Sequence, residues 1–237
     1  MYGPLVLLVI IFISSIPVIA VYVWFRLARY QFKLVRFLFA LLAGAAAFFP
    51  ALILQNFLNF SVSAGGRLEL FYHVFFRIAF TEELSRLLML FVFFYIEGRI
   101  TKDSSGQPFS WNDINRGAAI GLVAGLGFAI LENAVYAASD TRVLLLRAIT
   151  AAPLHGACGS RIGTAAVMFR TNPVQAIFRI FAATAIHGVY NFMAAMPGLP
   201  SIMAILVAFS ALFTAISTIH SSRTSEAKTL DKNSENQ

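Results

Sequence analysis

Residues 4–25 read PLVLLVIIFISSIPVIAVYVWF, a stretch that contains no charged side chain. A helix needs about 20 consecutive apolar residues to cross the roughly 30 Å hydrocarbon core of a bilayer, and this stretch is long enough. It lacks the basic start and the small-residue cleavage signal of a secretory leader. The sequence therefore predicts a first membrane span that is retained in the protein.

The rest of the chain repeats this pattern. Of its 237 residues, 59% are hydrophobic and 12% are charged, about half the charged share of a soluble domain. No stretch alternates as a strand would. The predicted fold is an all-α, polytopic transmembrane helical bundle (domain 1–220) with a polar, disordered tail (221–237). About seven spans are predicted, at 4–25, 37–59, 70–96, 117–139, 143–169, 174–196 and 199–220.

The basic residues predict the orientation of the bundle. The net charge of +7 does not indicate nucleic acid, because the lysines and arginines cluster in alternate connectors, as the positive-inside rule requires. The N-terminus is then outside and the C-terminus cytoplasmic. The opposite side carries little more than Arg67 and Arg142. The residues predicted to be cytoplasmic are Arg26, Arg29, Lys33, Arg36, Arg99, Lys102, Arg116, Arg170, Arg223, Lys228 and Lys232.

Predicted spans three to six carry ionisable and amide side chains that hydrocarbon should exclude. A charge at membrane depth costs several kcal/mol unless it is paired or hydrated. Counting the helical rise from the span ends places four of them, two glutamates and two histidines, in one layer near mid-membrane. We therefore expect a single buried site. Its candidate members are Glu82, Glu83, Arg86, Glu132, Asn133, His155, His187 and Asn191.

Helical spacing suggests how these groups meet. Glu82 and Arg86 are four residues apart and can form an ion pair on one face, while Glu83 points about 100° away toward another neighbour. Such a pair alone could be a structural lock between helices. Carboxylates beside imidazoles, however, suit general acid–base chemistry. For Cys158, the single cysteine, we favour packing over a role as nucleophile.

Four motifs resemble those of the PrsW intramembrane proteases, a family similar to the CAAX prenyl endopeptidases and bacteriocin-processing proteins. Residues 82–86, EELSR, resemble the EExxK/R motif, with Arg86 in place of the commoner lysine. Residues 128–133, FAILEN, resemble FxxxEN. Residues 155–159 and 187–191 resemble the two later histidine motifs. The four motifs occur in order on successive predicted spans, from span three to span six.

The resemblance implies a helical endopeptidase of the bacterial plasma membrane that cleaves membrane-bound protein substrates, which are anti-sigma factors in the best-known branch. Glu82 would activate the attacking water, and His187 with Asn191 would stabilise the oxyanion. The other members would assist or orient Glu82. The implied catalytic residues are Glu82, Glu83, Arg86, Glu132, His155, His187 and Asn191.

The sequence leaves the use of a metal open. No tight ligand spacing such as HExxH is present, so we favour glutamate chemistry that requires no cofactor. The same side chains could nevertheless build a zinc site with an open position. Its candidate ligands are Glu82, Glu132, His155 and His187.

Two other functions stay open at this stage. Buried glutamates and histidines also relay protons or bind ions in transporters, although no internal repeat of the kind common in transporters is evident. A non-catalytic relative could bind membrane proteins without cleaving them. The partners expected on every interpretation are the lipid bilayer and membrane proteins. The substrate's identity and the oligomeric state do not follow from the sequence.

Overall fold

The computed structural model describes residues 4–28, 30, 32–59, 66–100, 114–139 and 143–235, and all regular structure within these ranges is helical. The all-α prediction is therefore confirmed. Three residues used for the orientation, Arg29, Lys102 and Arg142, lie outside the described ranges. The elements are α1 (Pro4–Leu27), α2 (Leu34–Phe57), α3 (Gly66–Tyr72), a π-helical segment (His73–Phe80), α4 (Thr81–Ile100), α5 (Ile114–Ser139), α6 (Val143–Ile149), α7 (Ala151–Met168), α8 (Pro173–Ala194) and α9 (Leu199–Glu235).

These elements follow the seven predicted spans along the chain. The α3 helix, the π segment and α4 are consecutive in sequence, and only Thr150 separates α6 from α7. Within the described ranges, five helices are long and apolar enough to cross a membrane. Among the helices of at least 18 residues, α4 and α7 are not apolar enough to qualify, and both carry buried polar residues of the kind that lowers hydropathy. A seven-span count thus stays a prediction. The five candidate spans are Leu8–Leu27, Leu34–Phe57, Ile114–Ala137, Pro173–Ala194 and Leu199–His220.

The last helix continues beyond the predicted membrane boundary. The backbone of α9 is helical to Glu235, where the sequence analysis predicts a disordered tail from residue 221. No proline or glycine follows Pro200, so the sequence contains no residue that would stop the helix near the boundary. The division into domains 1–220 and 221–237 stays a prediction.

Helix α5 forms the centre of the bundle. In an apolar 18-residue window of this helix, 78% of the residues are buried, compared with 22% to 28% in the corresponding windows of the other four candidate spans. It packs against α1, α2, α7 and α9. The outer helices expose large apolar side chains, as expected where lipid replaces water; examples are Phe12, Phe49, Phe178 and Phe213.

Glycines bring α5 and α7 into backbone contact. A Cβ atom at Gly121 would lie 2.0 Å from the carbonyl oxygen of Gly159, and one at Gly125 would lie 1.9 Å from that of His155. Both distances are far inside van der Waals contact, so no larger residue fits without a shift of backbone. Small residues serve this purpose in membrane helix pairs. The contact places α7 directly beside the stretch of α5 that leads to Glu132.

The π-helical segment His73–Phe80 ends immediately before the first carboxylates of the site. Its junction with α4 is held by Thr81, whose Oγ1 donates to the carbonyl oxygens of Arg77 at 2.7 Å and Ile78 at 2.9 Å. A π-turn inserts an extra residue into the helical repeat and is frequent at functional sites. Here it shifts the rotational phase of Glu82 and Glu83 relative to α3.

The glycine contact predicts a difference between two alanine substitutions. Gly121→Ala should lower the free energy of unfolding by about 1–3 kcal/mol, because the new methyl group meets backbone. Gly156→Ala is the matched control, since its Cβ would meet the Leu126 side chain at 3.4 Å and the carbonyl oxygen of Leu122 at 3.6 Å, both ordinary contacts, and it should change stability by less than about 1 kcal/mol. Denaturant unfolding in detergent micelles measures both. Equal effects would contradict the assigned packing.

Candidate active site

Six of the seven predicted catalytic residues meet inside the bundle. They come from α4, α5, α7 and α8, and each is at most 7% exposed. Burial of this many ionisable groups requires that each finds a partner. The six residues are Glu82, Glu83, Arg86, Glu132, His155 and His187.

The first histidine is supported by a carboxylate that is itself held by an arginine. His187 Nδ1 lies 2.8 Å from Glu83 Oε1, and Arg86 Nη2 lies 2.8 Å from the same oxygen. Arg86 Nη2 is 3.6 Å from Glu82 Oε2. The expected contact between Arg86 and Glu82 is therefore present, but the closer partner is Glu83. The guanidinium also lies over the ring of Phe128, 4.6 Å from its centroid.

The second histidine has the same kind of support from other helices. His155 Nε2 lies 2.6 Å from Glu132 Oε2, and Arg147 Nη2 on α6 lies 2.5 Å from that oxygen. Arg147 Nε donates to Asn133 Oδ1 at 3.0 Å. Arg147 is not among the site residues predicted from the sequence. A signal was available, since it is a charged residue inside predicted span five, where an unpaired charge is costly.

Several polar atoms of the cluster are left without a hydrogen bond to another described residue. Within the described part of the chain, Glu82 Oε2 and His155 Nδ1 are buried without a hydrogen-bond partner. His187 Nε2 lies 3.8 Å from Glu82 Oε2, longer than a hydrogen bond. The two imidazole rings are perpendicular, with centroids 4.9 Å apart. One carboxylate and two imidazoles thus converge on a single point.

This point fits a metal ion. Glu82, His155 and His187 each offer one ligand atom, and these atoms lie within 4.8 Å of one another. Two histidines and one glutamate are a common ligand set for catalytic zinc. Metal-bound histidines usually donate their other ring nitrogen to a carboxylate, the position that Glu83 and Glu132 occupy here. Glu132, which the sequence suggested as a ligand, instead contacts His155 at Nε2, the ring nitrogen that would lie away from the metal.

Glu82 has a further partner that the sequence analysis missed. Gln55 Nε2 on α2 donates to Glu82 Oε1 at 3.1 Å, and the backbone carbonyl of Gln55 accepts from Arg77 Nε at 3.1 Å. This contact holds one carboxylate oxygen and leaves Oε2 directed at the histidines. The available signal was weak, because Gln55 is one of three amide side chains near the end of predicted span two, with Asn56 and Asn59.

Two other candidates lie apart from this convergence. Asn191 is half-buried on α8 one turn beyond His187, and no side-chain hydrogen bond involves it among the described residues. Cys158 is buried and its Sγ lies 3.5 Å from the carbonyl oxygen of Ala183, an environment that accords with packing.

Apolar helices around two buried carboxylate–imidazole pairs define a polytopic membrane protein with a site suited to hydrolysis. The model of the PrsW family of intramembrane metalloproteases matches residues 33–216. This is well over half of the chain, so the protein belongs to the PrsW family and is an integral membrane protein. The resemblance read from the four motifs is confirmed. No curated protein and no solved structure matches the chain.

The buried Arg86 predicts a non-additive pair of substitutions. Arg86→Met should destabilise the protein by about 3–5 kcal/mol, because Glu83 would then be buried without its cation. Adding Glu83→Gln should restore at least about 1 kcal/mol, since the stranded charge is removed. The exposed Arg67 is the control, and Arg67→Met should change stability by less than about 0.5 kcal/mol.

Chemical unfolding in micelles, followed by circular dichroism, gives these free energies. If the double variant is less stable than Arg86→Met alone, Glu83 is not the carboxylate that Arg86 neutralises.

Proposed function

We propose that this protein is an intramembrane endopeptidase that hydrolyses peptide bonds of membrane-bound protein substrates at the Glu82–His155–His187 cluster. The observation that carries the proposal is that the Glu82 carboxylate and the two imidazoles converge within a buried cluster of ionisable side chains. Family membership favours proteolysis over the transporter interpretation. Anti-sigma-factor-like proteins with a single span are the substrate class that we propose.

Glu82 is the proposed general base. One of its oxygens accepts from Gln55, so the other, Oε2, is oriented to take the proton of a water that lies between it and the imidazoles. Holding the base and the nucleophile in place removes the entropic cost of bringing them together. Low exposure of Glu82, 3%, keeps bulk water from competing for the same carboxylate.

The residues also fit the metal that the family description names. His155 and His187 would hold it, and Glu82, as the general base, would contact it through the water that it activates. When bound, a metal such as zinc supplies Lewis acidity that polarises the scissile carbonyl and acidifies water. The donor set and the family description together favour this chemistry over the metal-free mechanism that the sequence analysis preferred.

The remaining residues have supporting roles in the proposal. Glu83 and Glu132 fix the orientation of the two imidazoles, because each accepts a hydrogen bond from the ring nitrogen opposite the pocket. Asn191, one turn from His187, is the proposed donor to the developing oxyanion. We further propose seven spans in the bacterial plasma membrane, with the N-terminus outside and the C-terminus in the cytoplasm.

Cleavage in proteoliposomes tests this function. Purified protein is incubated with a panel of single-span membrane proteins, and the products are identified by mass spectrometry. Glu82→Gln should reduce cleavage by at least about 100-fold, since loss of a general base costs that much. Glu69→Gln is the control, because the Glu69 side chain is 42% exposed and contacts only His73 among the ion pairs of the described residues; this variant should cleave as the wild type does.

A chelator arm separates the two mechanisms. Loss of cleavage that zinc restores supports the metal-dependent chemistry, whereas full activity in chelator supports glutamate chemistry alone. Equal cleavage by the wild type and Glu82→Gln would contradict the role of Glu82. Ion flux without cleavage would contradict the protease function.

A further inference from the structure

Arg147 lies outside all four sequence motifs, yet it contacts the site from a short helix of its own. The α6 helix is anchored on one side by Leu144, which packs with Ile10 and Ala137. At its end, Thr150 Oγ1 contacts the hydroxyl of Tyr190 at 2.9 Å. The break at Thr150 separates α6 from α7 and lets the Arg147 side chain reach inward to α5.

Three groups on α5 hold the guanidinium. Arg147 Nη2 contacts Glu132 Oε2, Nε donates to Asn133 Oδ1, and the cation lies 3.8 Å from the centroid of the Tyr136 ring. The Arg147 side chain is 16% exposed. A cation held on three sides in this way has little freedom to leave Glu132.

The contact between Arg147 and Glu132 determines which ring nitrogen of His155 carries the hydrogen. Because Glu132 Oε2 is shared by Arg147 and His155 Nε2, the carboxylate is fixed as an acceptor for the Nε2 hydrogen. The other ring nitrogen, Nδ1, then carries the lone pair and is the buried atom without a partner. Arg86, Glu83 and His187 repeat this arrangement on the other side of the site.

We propose that Arg147 is a positioning residue that orients Glu132, and through it His155, for metal binding and catalysis. Arg147 is thus the counterpart of the motif residue Arg86, supplied by a different helix. The inference rests on the proposed function, because it assigns Arg147 to the same Glu82–His155–His187 cluster. It adds a charged residue from outside the motifs to the groups on which the site depends.

The test measures zinc affinity by competition with a chelating dye, together with cleavage and thermal unfolding, on the full-length protein in detergent. Arg147→Gln should weaken zinc binding by about 10–100-fold, the usual effect of losing support behind a ligand. Arg147→Lys should recover part of this, because an ammonium can reach Glu132 but cannot also present the guanidinium fork to Asn133.

Arg161→Gln is the matched control. Arg161, on α7, likewise bonds across helices, to Thr214 and the backbone carbonyl of Ala211 on α9, but it does not contact the cluster. This variant should bind zinc as the wild type does. If Arg147→Gln does not fold, Arg147→Lys carries the test: weakened zinc binding with an unchanged unfolding temperature supports the proposal.

The inference is overturned if Arg147→Gln binds zinc as tightly as the wild type; if Arg147→Gln does not fold, the same result in Arg147→Lys overturns it. It is also overturned if Arg161→Gln loses as much zinc affinity as the Arg147 variant does. The outcomes separate the inference from the proposed function. Wild-type protein that binds zinc but cleaves nothing contradicts the protease function and leaves the Arg147 affinity result valid. Wild-type protein that binds no zinc overturns the metal site and the role of Arg147 together.

Discussion

The contact between α5 and α7 is the constraint on which the site depends. Glu132 is carried by one helix and His155 by the other, and their 2.6 Å contact exists only because the two backbones touch at glycine. A Cβ atom at Gly125 would collide with the carbonyl oxygen of His155 itself. Substituting this glycine would therefore move the histidine and not merely loosen the bundle. The small-residue stripe is a packing feature, but the position of a site residue follows from it.

The surrounding lipid explains why each buried charged side chain contacts another charged side chain. In a low-dielectric interior an isolated ion is far more costly than a paired one. In this protein each of the two imidazoles contacts a carboxylate, and that carboxylate contacts a guanidinium, as in Arg86–Glu83–His187. The arrangement leaves one ring nitrogen of each histidine, and one oxygen of Glu82, directed into the pocket. The same pairing that stabilises buried charge thus prepares a ligand set.

The sequence predicted the helical class and six of the residues that meet in the cluster, because a glutamate such as Glu82 or Glu132 within an apolar run stands out against lipid. It could not settle which carboxylate Arg86 approaches most closely, since spacings of three and four residues are both compatible with contact and rotamers decide between them. Gln55 was missed because a neutral amide near a span end gives little signal. Arg147 resembled a boundary residue that could snorkel to the surface.

X-ray absorption at the zinc edge of the purified, zinc-loaded protein tests the central claim most directly, because it reports the ligands themselves. The account predicts a shell of nitrogen and oxygen atoms at about 2.0–2.1 Å, with the multiple scattering of two imidazoles. His155→Ala should remove one of the two imidazoles from the spectrum. A shell that contains sulfur, or a wild-type spectrum without imidazole, would contradict the convergence of Glu82, His155 and His187 on a metal.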